Sequence, residues 1–501
     1  MIRLAIICFL ISMIESERCT FSIAQLNKLR QLFNDSDRRM EEATRGQSEN
    51  AAIVIGNGRG GKSTLINYLM GNELVAYRSH TFDPIKIRKA NENSPGPEIG
   101  AGSLSTTTIP LKWKSTRTEL KNLDIWDTAG FSDNRGVEQD LNNSFHLYHL
   151  AKKVESVKFI LVIDFDDIRT TSVQQILQLL KALEEYFIDN FKDIFRSISV
   201  IIAKAPKYIN DDIPANCEYL NYKLTNSLLS QPEMDISEDS KNFLRHVIAN
   251  NQRVAFFRKA KKLGPLTSDI DDNIIPAINN CTSISKSSNQ NIGFTMSSNS
   301  KNCLQYANQD LLNMNEFEIL EKQVENWFTK NYNAWNELKD KNILNANKEN
   351  LRNIYARIDI SSLYNSDVKD MIQILKINYD TIKIEITEEL MNKIDLSEFI
   401  DSLITTGKMV RIHITLDGTI RALYHRILQL IFLCELKINE IDKAGYDEKI
   451  RLDNKKHEEE SRYLQHAIRQ LEKIPEEQSY WDQFLQFLLS HPVSEHSTIM
   501  H

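Results

Sequence analysis

Apolar residues along this chain change their period several times, and each change marks a different element. Ala51 to Ile55 is an unbroken apolar run that stops at a glycine, after which Leu65, Ile66, Leu69 and Met70 recur at helical spacing. That predicts strand, loop and helix in succession. Leu120 to Trp126, Val157 to Asp164 and Ile198 to Ala203 predict three further strands. Between the last two, Ile176, Leu179, Leu180, Leu183 and Phe187 predict an amphipathic helix from about Ser172 to Phe195. Continuous apolar strands suit a sheet covered on both faces. Strand alternating with helix then predicts an α/β class domain, doubly wound around a mostly parallel sheet.

The flanks read differently. Ile23, Leu26, Leu29, Leu32 and Phe33 among charges predict an amphipathic helix within residues 21–47, covering a core edge. Beyond Gly264-Pro265 the composition turns to Asn and Ser, which predicts a flexible linker over residues 263–312. Residues 313–490 predict a mainly helical module. Ile319, Leu320, Val324, Trp327 and Phe328 share one face, while alternation in Ile382–Ile386 and Val410–Ile414 predicts two half-buried strands, a small β element. From Ile420 a long helical pattern runs to Leu471, interrupted by Gly445, so one rod and a packed hairpin are both open. Heptads are not sustained, which limits any coiled coil to a short pairing. Trp481 to Leu489 is apolar enough to dock on this module or on a partner, and residues 491–501 form a tail. No triad, paired-carboxylate or metal signature stands out in this half.

A chain of 501 residues exceeds what one hydrophobic core supports. A net charge of −7 with mixed signs gives no basic footprint, which sets nucleic acid aside as a partner. The six cysteines are scattered without C-x-x-C pairs, which predicts neither a disulfide framework nor a zinc site. In residues 1–20 the apolar run Leu4 to Ile14 has the size of a signal-peptide core and is too short to span a bilayer. A secretory signal, a short membrane anchor and a helix docked on the folded protein all fit it. Cytoplasmic, membrane-associated and secretory-pathway locations therefore stay open.

The chemistry concentrates after the first strand. Gly56, Asn57, Gly58, Arg59, Gly60, Gly61, Lys62 and Ser63, followed by Thr64, spell G-x-x-x-x-G-K-S between a strand and a helix. Glycines let such a loop curl into a nest of amides around phosphate, and the helix N-terminus faces the same anion. Lys62 would reach the β- and γ-phosphates and Ser63 would give its hydroxyl to Mg²⁺. Downstream, Asp127-Thr128-Ala129-Gly130 closes the second strand as D-x-x-G.

With both motifs, residues 48–262 resemble a septin-, dynamin- or GIMAP-like large GTPase domain of the P-loop superfamily. The resemblance implies that Asp127 acts on Mg²⁺ through water and that the Gly130 amide senses the γ-phosphate. It also implies a switch threonine before the next strand. Thr107 is chosen because Thr107-Thr108-Ile109-Pro110-Leu111 is similar to the dynamin-like T-x-x-P-L, with Thr106 and Thr108 as alternatives and an ordinary Ser/Thr turn as the structural reading. Arg59 stands where guanylate-binding and atlastin-like proteins carry a cis-acting arginine; a solvated loop-tip arginine is the other reading. The insert over residues 72–104, with a strand near Phe82 to Lys89 and a loop at Asn93 to Pro97, either orders with nucleotide or is a surface excursion.

Two departures stand out. In place of [N/T]-K-x-D the chain has Ala203-Lys204-Ala205-Pro206, so Lys204 could flank the base while the base-reading aspartate is missing. Phe131 follows D-x-x-G where Ras-like proteins have a water-positioning glutamine. The expected ligands are GTP or GDP with Mg²⁺, and the expected output is self-association or binding of a protein partner. A nucleotide-binding pseudo-GTPase scaffold and an ATPase of relaxed base choice are the alternatives.

Overall fold

The computed structural model of the protein describes residues 19–100, 107–131, 135–170, 173–210, 212–289, 291–311, 315–363, 366–382, 386–406, 408–442 and 447–471. The chain divides into two compact units, one running through Ala24–Cys303 and the other through Leu304 onward together with the short segment Thr20–Ile23.

The first unit is built on a central sheet. Strands β1 (Asn50–Ile55), β5 (Leu123–Asp127), β6 (Ser156–Asp164), β7 (Ile198–Ala205) and β10 (Val254–Arg258) are parallel, in the order β10-β7-β6-β1-β5. β4 (Leu111–Lys114) and β12 (Asp271–Asp272) close the two edges antiparallel. The central strands are mostly apolar because both faces are covered, with their polar residues at the strand ends or at single positions such as Asp124, Lys158 and Ser199. Ala51, Ile53 and Ile55 point into one core with Leu150, Leu183, Leu220 and Phe243, from helices that follow the later strands. Ala52 and Val54 point into the opposite core with Leu65, Ile66, Leu69, Ile274 and Ile278. The expected α/β architecture with a mostly parallel sheet is present, and the sheet is mixed through its antiparallel edge strands and through a short strand, Ile284–Ser285, that pairs antiparallel with β6.

Within the 72–104 insert, β2 (Leu74–Tyr77) and β3 (Lys86–Lys89) pair antiparallel, and β11 (Gly264–Pro265) adds to β2 as a separate small sheet. The loop after β3 is tied down. The buried Asn67 donates to the Pro97 carbonyl at 2.8 Å, and Asn72 donates to that of Pro95 at 2.6 Å.

The helix Ile23–Thr44 covers the edge of the core, as its amphipathic pattern predicts. Phe33 meets Phe145 edge to face at 5.3 Å, and Asp37 and Glu41 pair with Lys153 on the helix Val137–Lys153.

The flexible linker is a correction. Residues 263–303 belong to the first unit: β12 and β13 (Ile284–Ser285) join the main sheet, Ile274, Ala277 and Ile278 are buried, and Phe294 stacks on Tyr148 at 4.2 Å. The Asn/Ser tract is short, and the apolar residues spaced through it bury enough area to fix the backbone. A second correction concerns the cysteines, since Cys19 and Cys303 form a disulfide across 284 residues of sequence.

The second unit is helical. The helices Asn315–Asn336, Lys341–Tyr355, Val368–Ile382 and Glu388–Leu403 pack against the long helix Lys408–Asp442, which precedes a final helix Asp447–Leu471. Both expected strands are overturned where they are described. Ile382 ends a helix, residues 383–385 lie outside the described residues, and Val410–Ile414 is helical. The five-residue alternation there is a fragment of a longer stripe: Ile412, Leu416, Ile420, Leu423, Ile427 and Leu430 recur every three or four residues and are all buried. Of the two readings of the last helical stretch the hairpin holds, with His425 lying beside Glu460. Residues 1–18 and 472–501 lie outside the description, so the N-terminal apolar run and Trp481 to Leu489 have no structural account. Among the described residues no helix is long and apolar enough to cross a membrane.

Peptide mapping without reductant is expected to recover Cys19 and Cys303 in one linked peptide. Cys303→Ser is expected to lower unfolding stability by roughly 2–4 kcal/mol, read from denaturant midpoints.

Candidate functional site

Because the five central strands are parallel, their carboxyl ends open on one side of the sheet, where loops from several strands meet. The Gly-rich loop leaves β1 there. Gly56 has φ of +140° and an added Cβ would sit 2.2 Å from the Val162 carbonyl oxygen, so both conformation and space demand glycine. Gly61, at φ of +100°, opens the helix Lys62–Met70, whose first turn has no side-chain cap. Its leading amides are therefore available to a ligand. Arg59 is exposed at the loop tip in the left-handed region, with φ of +65°.

Lys62 folds back over the loop, its Nζ 3.1 Å from the Gly56 carbonyl and 2.9 Å from that of Asn57. Ser63 and Thr107 both donate to one oxygen of Asp127, at 3.2 and 2.9 Å. Asp127 ends β5, is 1% exposed, and its other oxygen is buried with no hydrogen-bond partner. Burial raises its pKa above the ordinary carboxylate value, against the pull of Thr107, Lys62 and Ser63. Two hydroxyls and a carboxylate with one buried, unpartnered oxygen are oxygen donors of the kind a hard divalent cation takes, so Mg²⁺ fits these residues. Thr107 is thereby placed beside Asp127; Thr106 lies outside the described residues. Arg135 donates to the Thr107 carbonyl at 2.8 Å and ties this segment to the one after Gly130.

Gly130 touches the loop directly. A Cβ there would lie 2.4 Å from the Gly58 amide nitrogen and 2.5 Å from its Cα. Gly58 itself has open space around it. Phe131 continues the ladder beside Asn57 and points into the core, 3% exposed and 6.4 Å from the Tyr186 ring. Its ring packs inward, away from the loops.

Lys204 sits at the end of β7 with φ of +57°. Its Nζ bonds the Arg59 carbonyl at 2.7 Å and the Asp164 carboxylate at 2.6 Å. Asp164 caps the short helix Phe165–Arg169 at the end of β6, and Asp167 on that helix has its pKa raised to about 6 by burial and the Asp164 charge. Lys259, just beyond β10, pairs with Asp166 at 3.4 Å. Three neighbouring strand ends thus bring a charged cluster to one flank of the loop. Asp164-Phe165-Asp166-Asp167, an acidic run closing an apolar strand, was its sequence signal. The Pro206 carbonyl is held by Arg258 at 2.8 Å, and Arg258 also bonds the Ala215 carbonyl. Asp211 lies outside the described residues, and Asp212 is exposed in the loop between β8 (Tyr208–Ile209) and β9 (Ile213–Pro214).

Comparison with known proteins gives no match to any family model and none to a curated sequence.

Gly130→Ala is expected to cost roughly 1–3 kcal/mol of unfolding stability, because the new methyl meets backbone rather than a movable side chain. For Asp167, the folded state holds a proton that the unfolded state releases near pH ~4, so stability falls as pH rises from there through about 6. Asp167→Asn is expected to raise the melting temperature at pH 7.5, with the gap to wild type closing by about pH 4.

Proposed function

We propose that residues 48–262 are a Mg²⁺-dependent GTP-binding domain that hydrolyses GTP to GDP and phosphate, and that nucleotide state governs assembly or partner binding through the C-terminal helical unit. The observation that carries this reading is the meeting of Ser63, Thr107 and Asp127 beside a left-handed glycine loop and an uncapped helix start. In this reading the amides of residues 58–63 cradle the β- and γ-phosphates, and Lys62 exchanges its two carbonyl partners for phosphate oxygens. Ser63, Thr107 and Asp127 would hold Mg²⁺, which neutralises charge on the transferring phosphoryl group. The Gly130 amide, packed on Gly58, lies where it would feel the γ-phosphate. Phe131 faces the core and takes no part in placing water, so Arg59, free at the loop tip, is assigned the charge that develops in the transition state.

A second reading, a nucleotide-binding scaffold or an ATPase of relaxed base choice, draws on one observation. At the end of β7 the base-reading carboxylate is replaced by Pro206, and Lys204 is engaged by Asp164 and the Arg59 carbonyl. A base site lacking its bidentate acceptor discriminates less.

Calorimetric titration with GTP, GDP and ATP in Mg²⁺ separates the readings. Guanine-only binding, abolished by Lys62→Ala, is expected; equal affinity for ATP selects the relaxed ATPase, and binding without turnover selects the scaffold. Arg59→Ala is expected to leave GTP binding intact and slow hydrolysis by roughly 10³-fold or more. Unchanged turnover in that variant removes the arginine from the mechanism.

A further inference from the structure

In the helical unit, His425 on the helix Lys408–Asp442 faces His457 and Glu460 on the helix Asp447–Leu471. One ligand atom from each of the three lies within 4.8 Å of the others, and all three residues are partly buried, the Glu460 side chain being 44% exposed. His457 and Glu460 are three apart and share a helix face, which is why the pair arrives together. The His425 Nδ1 and a Glu460 oxygen are 3.7 Å apart, beyond hydrogen-bond reach, and the two histidine rings stand edge to face at 6.4 Å. The three polar groups thus converge without bonding one another.

We propose that His425, His457 and Glu460 form a binding site for a zinc-class divalent ion that clamps these two helices together, with water in the fourth position. Two imidazoles and one carboxylate favour zinc over Mg²⁺ or Ca²⁺, which prefer oxygen alone. Bonds of 2.0–2.1 Å in a tetrahedron bring ligand atoms to about 3.3 Å of one another, a closure that side-chain torsions supply from the present spacing. The two nearby guanidiniums that would repel a cation are each met by a carboxylate: Arg421 by Asp417 and Arg426 by Glu325, both at 2.8 Å. This site is separate from the proposed nucleotide site and does not depend on it.

The test uses untagged full-length protein stripped with a chelator, then titrated with Zn²⁺ by calorimetry and with Co²⁺ by visible absorption. Wild type is expected to bind one equivalent more than either His457→Ala or Glu460→Gln, to show tetrahedral Co²⁺ bands that both variants lose, and to gain melting temperature with Zn²⁺ where they do not. Glu460→Gln preserves shape, so it guards against a folding defect in the alanine variant, and circular dichroism checks both. His466→Ala, on the same helix outside the cluster, is expected to bind as wild type does. Wild-type stoichiometry and affinity in Glu460→Gln, or no zinc bound by wild type, overturns the proposal.

Discussion

Asp127 is a carboxylate buried at the end of a central strand with one oxygen taking two hydroxyls and the other taking nothing. Such a group costs stability unless something answers its charge, and no ion pair to it exists among the described residues. Lys62 is near enough to lower its pKa, yet its ammonium is spent on two backbone carbonyls. The surroundings are arranged around this uncompensated charge. Ser63 opens the helix after the glycine loop, Thr107 arrives from the segment before β4, and Gly130 lets the chain leaving β5 touch Gly58. A fold that keeps such a group without neutralising it is poised for a cation, and this is the physical basis for the proposed Mg²⁺ and nucleotide.

The parts of the site legible in the sequence are those fixed by neighbours along the chain. Gly56, Gly61, Lys62 and Ser63 are read from spacing alone because a strand, a tight left-handed turn and a helix start are local events. Asp127 follows for the same reason, at the end of an apolar run, whereas Thr107 rested on a resemblance to T-x-x-P-L that left Thr106 and Thr108 open. The sheet was legible too, since strands buried on both faces read as near-continuous apolar runs. The salt bridge from Lys204 to Asp164 was not, because it joins the ends of two strands forty residues apart. Nor was the Cys19–Cys303 disulfide, whose partners have no local relation. In the helical unit a five-residue window around Val410 favoured a strand; only the longer stripe to Leu430 reveals the helix. Residues 263–303 misled through average composition, which hides a few well-placed apolar side chains such as Ile278, Ile292 and Phe294.

The same distinction separates the two ends of the proposed nucleotide site. Binding phosphate relies on backbone amides and one helix terminus, so a short run of glycines suffices and the pattern survives intact. Binding a base relies on side chains delivered by several strand ends, here β6, β7 and β10, and their agreement cannot be read from one segment. Pro206 removes the expected acceptor, while Asp164, Asp166, Asp167, Lys204 and Lys259 gather beside it. In this cluster Lys204 holds Asp164 and leans on the Arg59 carbonyl, so the flank that would meet a base is mechanically joined to the loop that would meet phosphate. Any ligand that draws Lys204 away from Asp164 leaves that carboxylate with only its helix-capping bond from the Asp166 amide and shifts the balance of Asp167. If the proposed nucleotide site is correct, base choice would depend on the charge cluster as a whole, and the loss of a single aspartate would not by itself decide it.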